Sequence, residues 1–240
     1  MKKTLVFALI TSAVLMARAA VADEISTSAG PVTITPIQHA SFTLTAGGKA
    51  IYIDPAPAKL FAEKPKADLI LITDIHGDHM DPEAVRELSG SGTKVIAPAA
   101  VAKTITGAEV LNNAGTTHWN GWTIEAVPMY NEKRGPAPGQ LFHTKGRGNG
   151  YVLTYGGKRF YISGDTEGIP EMRQLKDIDV AFVCMNLPYT MPVEEAADAV
   201  KAFHPKIVYP YHYRGQDPDK FAKLLDGTGI DVRLRDWYAK

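Results

Sequence analysis

The run Ile70-Leu71-Ile72-Thr73 leads directly into Asp74-Ile75-His76-Gly77-Asp78-His79, so an apolar stretch ends in two imidazoles and two carboxylates. A short continuous apolar run of this kind reads as a buried strand. A strand that stops in such a cluster delivers all four groups into one small volume. Crowded there, they repel one another and are poorly solvated unless a divalent cation sits among them. The fold must therefore bring this strand end to an edge where further donors can meet it.

Four other segments share the form. Ile51-Tyr52-Ile53 ends at Asp54, Val127-Pro128-Met129-Tyr130 at Asn131, Phe160-Tyr161-Ile162-Ser163-Gly164 at Asp165, and Ile207-Val208-Tyr209-Pro210-Tyr211 at His212. Any one of them alone reads as a turn or cap residue after a strand. The ordered set on one chain is far more specific.

β-Branched and aromatic runs predict strands over 32–36, 42–46, 50–54, 67–73, 94–97, 122–127, 151–155, 159–163, 179–184 and 206–211. Helices are predicted over 99–106, 170–175, 193–203 and 217–225. One more opens at Asp81-Pro82-Glu83, with Asp as N-cap and Pro in the first turn. Gly47-Gly48 and Gly156-Gly157 mark hairpin turns. Hairpins followed by strand–helix alternation suit an α/β fold of two packed sheets with helices outside. A single doubly wound sheet fits less well, because no Gly-rich phosphate loop is present. No internal repeat is visible. The polar segment 131–150 reads as a functional loop over a site. Its Lys133, Arg134, Lys145 and Arg147 invite a substrate-phosphate role, against a solvated loop in a neutral protein.

Residues 1–22 read as a cleaved secretory signal: Lys2 and Lys3, an apolar core from Leu5 to Ala17, then Ala20-Val21-Ala22 before Asp23. The remainder, 23–240, is expected to form one domain and to be periplasmic or secreted, without stable membrane insertion. Without Lys2, Lys3 and Arg18 the chain carries 23 basic and 26 acidic side chains, a formal charge of −3. That balance argues against nucleic acid as a partner. Cys184 is the only cysteine, so no intramolecular disulfide can form; in its apolar run it reads as a small core residue.

These motifs resemble the metallo-β-lactamase superfamily, whose fold is an αββα sandwich with a metal site at the sheet edge. The likeness covers essentially the whole of 23–240. It is greatest to the branch that includes L-ascorbate-6-phosphate lactonase and N-acyl-phosphatidylethanolamine phospholipase D. His39-Ala40-Ser41 is similar to that branch's Gly-His-Ala-Ser/Thr, with Gln38 in place of Gly. The Asp54 strand end, the Asp78-His79 pair, Ser163-Gly164-Asp165-Thr166 and Pro210-Tyr211-His212 all match family positions.

The resemblance implies two metal positions. The second is complete, with Asp78, His79 and His212 as ligands and Asp165 as the bridge, and it suits Zn2+. The first departs from the family: Asp74 and Asn131 stand where histidines are usual, leaving His76, Asp74, Asn131 and a share of Asp165. Oxygen-rich ligands there would weaken zinc selectivity and admit Mn2+ or Fe2+. His143, on the long loop, is a candidate replacement ligand. A bound cation would lower the pKa of water to about 7 and supply hydroxide. Asp78 or Asp74 would orient that hydroxide and move a proton, with His143, Tyr189 and Tyr213 as candidates to stabilise charge or protonate a leaving group.

Plainer readings attach to other residues. His39 is expected beside the site rather than on the metal, His118 and His204 are expected to be structural or exposed, and Asp54 to support the metal loop by accepting hydrogen bonds. Glu167 reads as a solvated helix-start acid. The chain as a whole is expected to be an exported metal-dependent hydrolase of a small-molecule ester, lactone or phosphodiester. The alternatives are a non-catalytic binding protein with a degenerate first metal position, and redox chemistry at iron. Oligomeric state is not legible.

Overall fold

Both sheets are laid down strictly in chain order. In the computed structural model, which describes residues 22–238, the first sheet runs β1 (Asp23–Ile25), β2 (Val32–Gln38), β3 (Ser41–Ala46), β4 (Lys49–Ile53), β5 (Leu69–Leu71), β6 (Lys94–Ala97) and β7 (Glu109–Val110). The second contains β8 (Thr116–Trp119), β9 (Trp122–Met129), β10 (Gly148–Tyr155), β11 (Lys158–Ile162), β12 (Val180–Cys184), β13 (Ile207–Tyr211) and β14 (Asp231–Val232). In each sheet three antiparallel pairings are followed by three parallel ones. One topology is thus used twice, although the sequence shows no repeat. The expected signal segment lies outside the described residues except for Ala22.

Helices follow the parallel strands: α1 (Pro82–Leu88), α2 (Ala99–Ala102), α3 (Pro170–Arg173), α4 (Val193–Phe203) and α5 (Pro218–Leu224). Asp81 caps α1 as expected, accepting from the Glu83 N–H at 2.9 Å, with Pro82 at the first position. The predicted helix over 99–106 stops at Ala102, where β-branched Thr104 and Ile105 precede Gly107.

Period-two alternation explains how the layers form. In β4 and β5, Ile51, Ile53, Leu69 and Leu71 enter the core shared by the two sheets. Tyr52, Ile70 and Ile72 point the other way, into a second core with Ala84, Val85 and Leu88 of α1 and Val101 of α2. A strand buried on both faces is why the sequence here is uninterruptedly apolar. Across the sheets Phe42 stacks on Phe182 with ring centroids 4.3 Å apart, and buried Trp237 packs edge-on against Phe42. On the outer side, Tyr161 meets Phe203 of α4. Cys184 is buried, as expected, and burial pushes its thiol up to about 12. Among the described residues, no helix is long and apolar enough to cross a membrane.

Candidate metal centre

The C-terminal ends of the parallel strands open onto one edge, and the sequence-predicted donors meet there. β4 ends at Asp54 and β5 leads through Thr73 to the segment 74–79. β11 leads to Asp165 and β13 to His212, while β2 contributes His39. His39, Asp54 and His212 take φ values of +55°, +45° and +48°. This left-handed region is uncommon for non-glycine residues, and such strain clusters at functional sites. Here it turns the chain sharply just past a strand end. Gly164 (φ +59°) precedes Asp165, and a Cβ there would lie 2.6 Å from Met129 Sδ, so only glycine fits.

Three groups form, two of them sharing His212, each with its ligand atoms within 4.8 Å of one another: Asp74, His76 and His143; His79, Asp165 and His212; and His39, Asp78 and His212. In the first, His76 Nδ1 lies 2.7 Å from Asp74 Oδ2, and His143 Nε2 lies 3.7 Å from the same oxygen. His143 Nε2 is also 3.2 Å from Asp165 Oδ2, which links the first group to the second. In the second, the Nε2 atoms of His79 and His212 face each other at 3.1 Å. Asp165 stands 3.4 Å from His79 and 3.5 Å from His212. Asp78 Oδ2 is 3.4 Å from His212 Nε2.

Behind His79 stands Asp54, fully buried as a supporting acid. Its Oδ2 lies 2.9 Å from His79 Nδ1 and accepts from Thr73 Oγ1 at 2.6 Å, while Oδ1 accepts from the Thr73 N–H at 2.7 Å. A carboxylate on the outer ring nitrogen fixes the tautomer that leaves Nε2 free to ligate. His39 is engaged on both sides, with Nδ1 2.6 Å from Tyr238 Oη and Nε2 3.1 Å from Asp78 Oδ2. Burial lowers its pKa to about 4 against the opposing pull of Asp78, so the ring is neutral near pH 7. Its backbone N–H donates to the Trp237 carbonyl at 3.0 Å.

Two residues take roles the sequence did not show. Asn131 turns to His143 instead of to the donor groups: its Oδ1 lies 2.7 Å from His143 Nδ1 and accepts from the His143 N–H at 2.8 Å. His143 thus occupies the place for which Asn131 was a candidate, with Asn131 as its orienting partner. Glu167 is buried, not solvated, and accepts backbone N–H bonds from Glu132, Lys133 and Arg134 and a side-chain bond from Asn131. It pins the start of the loop that carries His143. No short-range pattern announces either role, since each partner is at least a dozen positions away. Tyr213 is occupied elsewhere, donating to the Arg235 carbonyl at 3.3 Å. His118 and His204 lie away from the centre, as expected, bonded to Thr123 and to the Thr228 carbonyl.

The electrostatics fit a cation. Burial opposes charge on Asp165, yet the His212 and His79 charges and hydrogen bonds from His143 and His79 hold its carboxyl well below the usual range. Asp74 behaves alike: burial is outweighed by the His76 hydrogen bond and by the charges of His79, His76 and Arg147, bringing it to about 2. Asp78 is also depressed, through His212 and His39 against burial. Conversely, Asp165 and Asp54 raise His79 well above its usual value in spite of burial. Asp165 and His79 thus each favour the other's charged form, a compensation that a bound cation would also supply. Asp74 Oδ1 and Asp165 Oδ1 are buried with no hydrogen-bond partner. Such orphaned atoms are costly unless something ligates them. The imidazole and carboxylate set suits zinc, and equally manganese or iron.

His76, Asp78, His143 and Asp165 line a cleft of about 740 Å³, with Asp74, His79 and His212 buried behind them. His39, Asp78 and Arg214 line one end; Phe142, Leu187, Pro188 and Tyr189 line the other.

Comparison with known proteins agrees with this fold. A family model described as a β-lactamase superfamily domain matches residues 33–212. A metal-dependent hydrolase of Thermococcus onnurineus is 33% identical over 225 residues, covering 85% of this chain and 96% of that protein. A crystal structure from Parabacteroides distasonis, provisionally assigned as a metal-dependent hydrolase, matches with TM-score 0.85 at 44% identity, covering 90% of this chain and 99% of the other. Igni18, a metallo hydrolase from the archaeon Ignicoccus hospitalis, matches at TM-score 0.70 and 25% identity, covering 85% and 94%.

Proposed function

The chain belongs to the metallo-β-lactamase superfamily, and from that premise we propose that it is a metal-dependent hydrolase whose centre is the cluster at the sheet edge. The observation that carries this reading is the burial of Asp74, His79, His143, Asp165 and His212 in two adjoining donor groups, with orphaned carboxylate oxygens among them. His79, Asp165, His212 and Asp78 would hold one cation; Asp74, His76 and His143 would hold a second. Such a cation, when bound, polarises a carbonyl or phosphoryl oxygen and lowers the pKa of water to about 7.

The remaining work falls to the chain's own groups. Asp78 is half-exposed at the cleft floor, anionic, and oriented by His39, so it is placed to accept a proton from an attacking water. His39 receives its orientation in turn from Tyr238. Tyr189, exposed on the cleft wall, is placed to donate a proton to a departing oxygen. Esters, lactones and phosphodiesters are the proposed substrates, following the narrower likeness to the lactonase and phospholipase branch. We further propose that residues 1–22 direct export and are removed, leaving one domain over 23–240. N-terminal sequencing of the protein from its native cell checks this, and Asp23 is the expected first residue.

The deciding experiment is metal analysis of protein purified without chelator, followed by assay on aryl esters, lactones and bis-aryl phosphates. One or two equivalents of metal, with turnover lost in His79→Ala, is the expected result. Firm metal binding without turnover on any of the panel favours a binding protein instead.

A further inference from the structure

The loop whose basic residues suggested a phosphate site is already engaged. Arg134 pairs with Glu167 at 3.0 Å and Glu195 at 2.8 Å, Lys145 with Glu171, and Arg147 with Asp74 at 3.3 Å. Lys133 lines a separate hollow on the far side of Phe142, Leu187 and Pro188. The cation that faces the reactive cleft comes from a different element. Arg214, two residues beyond His212, is exposed and lines the cleft beside His39 and Asp78. It also lines the adjoining hollow with Gln38, Pro57 and Gly77.

Among the described residues no carboxylate pairs with Arg214; its guanidinium stands 6.0 Å from the centroid of the Tyr238 ring. At the other end the cleft is apolar. Leu187 and Tyr189 are two of the three exposed large hydrophobic side chains among the described residues, and Phe142 packs edge-on to Tyr189 at 5.1 Å. Apolar side chains left in water at a cleft wall mark a surface that a ligand covers. An arginine fork without a partner matches carboxylate and phosphate oxygens in the same way.

We propose that Arg214 is an anion-binding subsite that selects the substrate. The substrate carries a carboxylate or phosphate toward Arg214 and an apolar acyl or aryl group toward Leu187 and Tyr189, with the scissile bond over the donor groups between them. This rests on the hydrolase reading and narrows it: neutral esters and lactones are poor substrates, and amphiphilic anionic ones are good.

The test uses the metal-loaded protein and aryl esters of equal chain length whose acyl ends are neutral, carboxylate, phosphate or trimethylammonium. The wild type is expected to favour an anionic over the neutral end in kcat/KM by about 10-fold or more, the scale of a hydrogen bond to a charged group. Whether carboxylate or phosphate leads identifies the natural anion. Arg214→Ala collapses the anionic-to-neutral ratio, and Arg214→Glu turns the preference toward the trimethylammonium ester. A general loss of structure cannot produce that reversal. Indifference of the wild type to charge, or an anion preference that survives Arg214→Glu, overturns the subsite while leaving the hydrolase intact. If no ester is turned over, the hydrolase reading is judged on the lactones and bis-aryl phosphates, and calorimetric titration with the carboxylate-ended aryl amide decides the subsite. Binding weakened about 10-fold in Arg214→Glu supports the subsite; equal binding refutes it.

Discussion

Around His79, the outer ring nitrogen meets a buried carboxylate, that carboxylate is held by Thr73, and the ring itself is excluded from water. Around His76 the opposite holds. Its side chain is 45% exposed, its partner Asp74 is shared with Arg147, and the third donor, His143, arrives on the 131–147 loop under the control of Asn131. The two donor groups use the same side-chain chemistry but different degrees of support. A pre-oriented, dehydrated ligand set binds a cation without paying to assemble itself; a set with one half-exposed ligand and the Arg147 guanidinium beside it must reorder first. The second group should therefore hold its metal tightly and the first should exchange it.

The sharpest way to break this contrast is His79→Ala. It is expected to remove the tight metal equivalent and bring turnover to background, as read by elemental analysis and assay on one sample. A tight equivalent that survives would place it at the first group. Asp54→Ala leaves every direct donor in place but frees the His79 ring. Metal affinity at the second group should fall about 10- to 100-fold, the usual effect of losing an outer-shell partner. Competition with a chromophoric chelator measures it. Asn131→Ala should do the same to the first group, by about 10-fold, and spare the second. Equal weakening of both would show that the groups are coupled through Asp165. Asp74→His replaces a hard oxygen by imidazole, so zinc at the first group should tighten relative to manganese.

The smallest effect lies far from the centre. Asp179 is pushed up by burial but held below its ordinary value by Lys206, the Arg159 N–H and Lys158. A depressed carboxyl contributes stability that is complete above its unfolded pKa of about 3.9 and is lost as pH falls through the lower folded value. Asp179→Asn should therefore destabilise at pH 7 and cost progressively less as the pH falls below about 4, when followed by thermal unfolding.

The strands that were legible are those whose side chains are committed to a core. The predicted span 94–97 is β6, and the predicted helix 193–203 is α4. The strands that were not legible, β1, β7, β8 and β14, are two to four residues long and lie toward the sheet edges. There, pairing rather than apolar pattern defines them. The site divides along the same line. Site residues that end a strand, such as Asp54 and Asp165, could be nominated from the sequence because the apolar run points at them. His143 was reachable only as a candidate, because a loop residue has no periodicity to place it. The handover from Asn131, and the anchoring of the loop by Glu167, rest on contacts across a dozen to three dozen positions. Local sequence carries no trace of these.

His39 is braced by the Trp237 carbonyl and the Tyr238 hydroxyl. A ribosome adding ~5–20 residues each second would separate the emergence of His39 from that of its braces by ~10–40 s. Throughout that interval the nascent chain displays unassembled imidazoles and carboxylates to whatever ions surround it. The ligand set is complete at His212, but the last brace on His39, and through it on Asp78, is added only with residues 237 and 238.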